Sequence, residues 1–190
     1  MRWIFIFVLA SLSTFAQETK FKPHYTNMTE FGGLFGRVGY GGGFSPQFYE
    51  NRQSFTLQSF NGIQLKPIWA VGFSTGIDWY KSALIMPLQI GTRLDFAENP
   101  KRAVMFALLD GGYGFNWLNA DPANYKTKGG FTFNTGLGIK LMLKSQAAIT
   151  MTLSYKMQNV FVEKPLFWGD IERTESRTYN RMGFRIGMSF

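Results

Sequence analysis

Trp69-Ala-Val-Gly-Phe-Ser-Thr-Gly-Ile-Asp-Trp79 decides the fold. Trp69, Val71, Phe73, Thr75, Ile77 and Trp79 fall on one parity, and Ala70, Gly72, Ser74, Gly76 and Asp78 on the other. A period of two sends successive side chains to opposite faces of an extended chain, so the stretch from 68 to 80 reads as a β-strand. One face is large and apolar; the other is small and ends in a carboxylate.

The same pattern recurs on both sides of this stretch. Over 84–96, Leu84, Met86, Leu88, Ile90, Leu94 and Phe96 oppose Gln89, Gly91, Arg93 and Asp95. Over 103–117, Met105, Ala107, Leu109, Tyr113, Phe115 and Trp117 oppose Asp110, Gly112, Gly114 and Asn116, although Val104, Phe106 and Leu108 blur the first half. Over 129–143, Phe131, Phe133, Leu137, Ile139 and Leu141 oppose Thr132, Asn134, Gly136, Gly138 and Lys140. Over 146–158, Ile149, Met151, Leu153 and Tyr155 oppose Thr150, Thr152, Ser154 and Lys156. The final stretch, 179–190, sets Met182, Phe184, Ile186, Met188 and Phe190 against Arg181, Gly183, Arg185, Gly187 and Ser189. Two earlier strands, 28–40 and 53–65, bring the number to eight. In the first, Phe31 and Phe35 lie on one parity and Leu34, Val38 and Tyr40 on the other, which predicts a glycine-associated bulge or a shifted boundary.

Soluble sandwiches also alternate, so the chemistry of the faces must discriminate. Exposed strand faces favour Thr, Lys and Glu over repeated Gly. In a small membrane barrel lipid takes the large apolar set, and a narrow lumen requires small residues with a few paired charges. Strands of about 11 to 14 residues also suit a tilted membrane crossing. The expected fold is therefore an all-β, eight-stranded antiparallel up-and-down transmembrane barrel.

Composition agrees. The chain has 190 residues, 45% hydrophobic and 17% charged, with 21 Gly and 20 Phe. Charged residues are scarcer than the roughly 25% of soluble domains. Zero Cys excludes a disulfide framework, a thiolate metal site, a Cys nucleophile and a lipidated N-terminal Cys, and one His, His24, leaves little for triad or metal chemistry. Neither a cofactor nor a metal is expected. Arg2 followed by the apolar run Trp3 to Leu12, then Thr14 and Ala16, reads as a signal peptide over 1–16, too short for a helix needing about 20 apolar residues. Residues 17–190 are then the barrel domain.

With the N-terminus on the inner side, the connections near Lys66-Pro67, Glu98 to Lys101 and Lys144-Ser145 are short inner turns. Residues 41–52, 118–128 and 159–178 become longer outer loops, with a short connection at Lys81-Ser82. Trp79 and Trp117 near the outer strand ends, with Trp69, Phe96 and Phe190 near the inner ends, form two aromatic girdles.

The C-terminal Arg181-Met-Gly-Phe-Arg-Ile-Gly-Met-Ser-Phe190 resembles the last strand of Gram-negative outer-membrane barrels. The stretch Phe55 to Phe96, with Asn61-Gly62, Gly72, Gly76-Ile-Asp78 and Met86-Pro-Leu88, resembles the small, poorly characterised eight-stranded outer-membrane β-barrel proteins. The resemblance implies an outer-membrane location, contact with outer-membrane lipid, and recognition of the strand ending in Phe190 by the barrel-assembly machinery. It implies no particular activity. Pro87 departs from an ideal interior strand and predicts a strand start or a bulge.

Eight strands enclose an interior that side chains fill, which disfavours a diffusion porin. Asp78, Arg93, Asp95, Asp110, Lys140, Lys156, Arg181 and Arg185 are expected in the lumen as a charge network, since buried charges persist when paired. The competing use of these charges is a narrow ion or proton path. No enzyme is expected: His24 precedes the first strand, and a pairing of Asp110 with Asp78 or Asp95 competes with the surrounding cations. Gly32 to Gly43 lacks the Gly-Lys-Ser/Thr ending and following helix of a phosphate-binding loop. The net charge of +8 is scattered, which argues against nucleic acid and for anionic headgroups. Phe161, Phe167 and Trp168, in the loop 160–178, are the candidate contact for a protein partner. The expected role is structural or interactive, as an accessory subunit of an envelope complex; the alternatives are a small channel or transporter for a small or hydrophobic solute, and a lipid-modifying enzyme.

Overall fold

Period-two alternation leaves the backbone groups to be paired between neighbours, and the chain does this by closing on itself. The computed structural model describes residues 21–40, 48–80, 83–98, 102–116, 126–143, 147–164 and 173–190, and among them every regular element is a strand. In chain order these are β1 (His24–Tyr40), β2 (Phe48–Lys66), β3 (Trp69–Tyr80), β4 (Ala83–Asp95), β5 (Ala103–Phe115), β6 (Lys126–Lys128), β7 (Gly130–Met142), β8 (Ala148–Lys164) and β9 (Arg173–Ser189). The short β6 continues β7 along β8 with a one-residue slip at Gly129, so the wall has eight staves, all antiparallel to their neighbours. β9 pairs with both β8 and β1 and closes the barrel.

Register fixes its dimensions. Phe190 exchanges both backbone hydrogen bonds with Asn27; from there the ladder runs through Asn61, Phe73, Ile90, Gly111, Phe133 and Met157 and returns to β9 at Asn180, a stagger of 190 − 180 = 10 residues. Eight strands with that stagger tilt by about 40° and enclose a cylinder of roughly 8 Å radius, narrow enough for side chains to cross it. The start of β1, the end of β9, the turn at 67–68, the end of β4, the start of β5, the end of β7 and the start of β8 share one rim, called here the terminal rim, and the other strand ends lie at the opposite rim.

The outward parity is greasy: Phe73, Ile90, Leu109, Leu137, Leu153 and Phe184 are all exposed. The inward parity carries Ser74, Asp78, Gln89, Asp110, Asn134 and Lys156, all buried. Lipid is the only solvent for which this arrangement is stable, because water would penalise the exterior.

Several local expectations differ from the structure. β1 has no bulge: its register is unbroken against both neighbours. Its mixed parity arises because Leu34 points inward and is fully buried. Val104, Phe106 and Leu108, which blurred β5, also point inward and are buried. Pro87 is neither a strand start nor a bulge. It lies inside β4, and the β3–β4 register is the same on both sides of it, Thr75 facing Leu88 and Asp78 facing Ile85. The ladder merely lapses between these pairs, near the position where Pro lacks an N–H. The outer loops are shorter than expected, because residues 48–52, 126–128, 159–164 and 173–178 are strand. Residues 1–20, which include the expected signal peptide, lie outside the described residues.

Candidate functional site: the lumenal polar belt

The small inward residues of the strands leave room for long side chains to cross the lumen. Asp110, on β5, is the hub. Its carboxylate accepts from Arg93 Nη1 at 2.6 Å and Nη2 at 3.2 Å, from Ser74 Oγ at 3.0 Å, from Gln58 Nε2 at 3.1 Å and from Asn134 Nδ2 at 3.0 Å. Five strands, β2, β3, β4, β5 and β7, thus converge on one carboxylate. The Arg93 guanidinium also lies 4.2 Å from the centre of the Phe60 ring, which covers it from the terminal side.

Two further buried pairs complete the belt. Asp78 on β3 receives a charged hydrogen bond from Lys156 on β8 and one of 2.7 Å from Thr56 Oγ1. Glu30 on β1 receives Arg185 Nε at 3.3 Å and Thr152 Oγ1 at 2.5 Å. Arg181 donates to the Gly36 carbonyl at 3.2 Å and lies near the stacked rings of Tyr80 and Tyr179, 5.7 Å and 5.8 Å from their centres. At the terminal mouth, Lys140 Nζ meets both oxygens of Asp95 at 2.6 and 2.8 Å, with both side chains partly accessible.

Apolar layers bound the belt on both sides. Met28, Phe60, Ala70, Phe106 and Leu108 pack together toward the terminal rim; Leu34, Tyr80, Ile85, Val160 and Tyr179 pack together toward the opposite rim. The belt charges are buried between these layers, a setting in which each is costly alone and tolerable only with its partner.

All eight lumenal charges singled out in the sequence lie on the inner side of the wall. Among the described residues Arg93 pairs with Asp110, Lys156 with Asp78 and Arg185 with Glu30 in the belt, and Lys140 pairs with Asp95 at the mouth. The carboxylates do not pair with one another: Asp78, Asp95 and Asp110 each take a different cation. Glu30 was missed, along with the amides Gln58 and Asn134. Its parity matched Leu34, and the apparent phase break in β1 concealed that the shared face was the lumen.

Of the girdle residues, Trp79 is exposed near the opposite rim, and Trp69, Phe96 and Phe190 are exposed near the terminal rim. Trp69 Nε1 donates to Thr92 Oγ1 at 2.7 Å. Trp117 lies outside the described residues, as do Phe167 and Trp168. Phe161 is not in a loop; it is an exposed residue of β8, paired with Ser176. His24 is exposed at the terminal rim, against the Phe21 ring, on the same side as Phe190. Among the described residues no three His, Cys, Asp or Glu side chains converge on a metal-sized site.

A closed eight-stranded barrel with stagger ten, an apolar exterior, aromatic rims and a charge-paired interior defines the class: a small β-barrel of the outer-membrane type. No family model matches the sequence, and no curated protein matches it. Solved structures do. The chain is similar to the outer membrane protein OprG from Pseudomonas aeruginosa, at 13% identity and a TM-score of 0.63, over 87% of this chain and 93% of that one. It is similar to the outer membrane protein AlkL, determined in DMPC bilayers, at 13% identity and a TM-score of 0.51, over 92% and 93% of the two chains. It is also similar to Neisserial surface protein A, at 10% identity and a TM-score of 0.51, over 89% and 98%. At these identities the likeness is one of fold.

Proposed function

We propose that this protein is a closed, non-conducting barrel of the Gram-negative outer membrane with a structural or interaction role, as an accessory subunit of a larger envelope complex. The observation that carries the reading is the belt around Asp110. It spans the narrow lumen with mutually hydrogen-bonded side chains from five strands and has an apolar layer above and below. A water-filled path would have to break charge pairs in a low-dielectric interior, at several kcal/mol per uncompensated ion. The same pairing supports a structural use of the lumenal carboxylates over acid–base chemistry.

An interaction role draws support from the opposite rim. The β8–β9 hairpin stays paired as far as Lys164 and Arg173, whereas the β1–β9 ladder ends at Val38 and Tyr179. The hairpin thus rises beyond the seam as a ready platform for a partner, with Phe161 on its exposed side. The proposal includes delivery to the membrane by the barrel-assembly machinery through the strand ending in Phe190.

The test has two parts. Extraction from the native membrane in mild detergent is expected to yield a stoichiometric assembly larger than the lone barrel, with identifiable co-purifying chains. Reconstitution in a planar bilayer is expected to show no unitary conductance. The competing reading, a small channel or transporter, rests on the vestibule of about 530 Å³ at the terminal rim, whose lining includes Asp95 and Lys140. A lone barrel with reproducible conductance, raised when Lys140 is replaced, would select that reading and overturn the first.

A further inference from the structure

The outward face of β1 to β4 is not uniformly filled. Gly62 faces Gly72 across the β2–β3 ladder, and Gly72 faces Gly91 across the β3–β4 ladder. A side chain at Gly72 would run into the backbone of Asn61 and Gly62, so the three strands approach here as only glycine permits. All three share the inward parity of Ala70, Ser74, Gln89 and Arg93, and the outer side of the same strands carries a cleft of about 430 Å³, lined by Tyr25, Ile63, Leu65, Val71, Phe73 and Ile90 with Asn61 at its flank.

The cleft has a direction. Tyr25 and Leu65 stand by the terminal rim, while Phe73 and Ile90 lie further along their strands toward mid-barrel. Its surface is almost wholly apolar except along one edge. There the Tyr25 hydroxyl donates to Asn61 Oδ1 at 2.7 Å, and Asn27 Nδ2 donates to the same oxygen at 2.8 Å. Ser59 and Thr29 extend this network, with their hydroxyls 2.9 Å apart. Five polar residues on an otherwise greasy exterior are costly against hydrocarbon unless they hold one another or meet a polar group. Beside the cleft the chain carries two lysines, Lys22 three residues before Tyr25 and Lys66 next to Leu65, while His24 lines the lumenal vestibule. The carboxylate of β1, Glu30, points the other way, into the lumen.

We propose that this cleft is a binding site for one anionic phospholipid of the leaflet that meets the terminal rim. One acyl chain lies along Ile63, Val71 and Phe73, the ester region lies against the Tyr25–Asn61 edge, and the phosphate lies near Lys22 and Lys66. Volume, apolar lining, a polar edge at one flank and a basic rim together match an amphiphile with a negative head, within the roughly 300–1,000 Å³ typical of small-ligand sites. The inference is independent of whether the lumen conducts.

Native mass spectrometry of the membrane-extracted barrel in detergent, titrated with phosphatidylglycerol and separately with phosphatidylethanolamine, tests it. The expected result is one saturable phosphatidylglycerol adduct. Lys22→Ser weakens it by about five-fold, the effect of about 1 kcal/mol per basic residue at an anionic surface. Val71→Trp, an apolar change on the lipid face that fills the cleft, abolishes it; Ile63→Trp serves the same purpose should the first variant not show the heat-modifiable gel migration of a folded barrel. Equal binding of the two lipids by the wild-type protein would overturn the proposal. So would adducts that accumulate without saturation in wild type and Val71→Trp alike. A lipid-free dimer that Val71→Trp dissociates would assign the cleft to a second copy of this chain and overturn it as well.

Discussion

Replacing Asp110 by Asn tests whether the belt stabilises the barrel through charge pairing or only fills it. The substitution keeps shape and removes the charge. An amide has one acceptor oxygen where the carboxylate has two, and five donor contacts now converge on those two oxygens. Arg93 remains as a buried cation, its side chain 4% accessible against 0% for Asp110. Leaving one partner of such a pair uncompensated costs about 3–5 kcal/mol. Losing an acceptor for two neutral donors, at about 1–3 kcal/mol each, leads to a similar figure and is not added to it. The Lys140–Asp95 pair provides an internal control, with similar charges and an N–O distance of 2.6 Å but side chains 17% and 16% accessible. Water can reach this pair, so Asp95→Asn should cost only about 1 kcal/mol. The assay is equilibrium urea unfolding of the refolded barrel in liposomes, followed by tryptophan fluorescence, with the double variant Arg93→Met/Asp110→Asn completing the cycle. The double variant should recover at least about 2 kcal/mol of the summed single losses, because it leaves no unpaired charge. Should Asp110→Asn cost no more than Asp95→Asn, or the cycle show no coupling, the belt is filler and the reasoning fails.

Three other outcomes are expected. Gly91→Ala should destabilise by about 1–3 kcal/mol in the same unfolding assay, since a methyl group there overlaps the Asp110 carboxylate; Gly111→Ala, whose new methyl meets open space, should stay within about 0.5 kcal/mol. Phe73→Arg, far inside the outward face, should cost about 2–4 kcal/mol in liposomes, and Trp69→Arg at the rim about 0–1 kcal/mol, so equal costs would contradict the membrane placement of the wall. Phe190→Ser should lower the fraction of folded barrel that accumulates in the outer membrane, read by heat-modifiable migration, while the purified variant refolds in detergent; the wild-type yield in cells would remove Phe190 as an assembly signal.

The face of each strand was legible in the sequence because the pleat is local: Asp78 opposite Trp79, or Arg185 opposite Phe184, follows from a period of two with no knowledge of neighbours. The same locality set the limit. Alternation cannot tell an apolar residue that faces lipid from one that faces an apolar layer of the lumen, so Leu34 and Phe106 looked like phase errors, and Glu30 was lost with them. Strand ends were also obscure, since the hairpin from Asn159 to Thr178 is held by cross-strand pairing rather than by any pattern within either strand.

The sequence by itself determined the class of fold, the apolar exterior and the inward face of every lumenal charge except Glu30. Only the tertiary structure decided who meets whom. Lys156 finds Asp78 across 78 residues, and Arg185 finds Glu30 across 155, because closure with a stagger of ten sets the height at which each strand presents its inward side chains. That stagger is a sum of registers around the whole wall, and no single strand contains it. The exterior cleft has the same origin: Tyr25, Ile63, Val71 and Ile90 belong to four strands and line one cleft only when pairing sets those strands side by side.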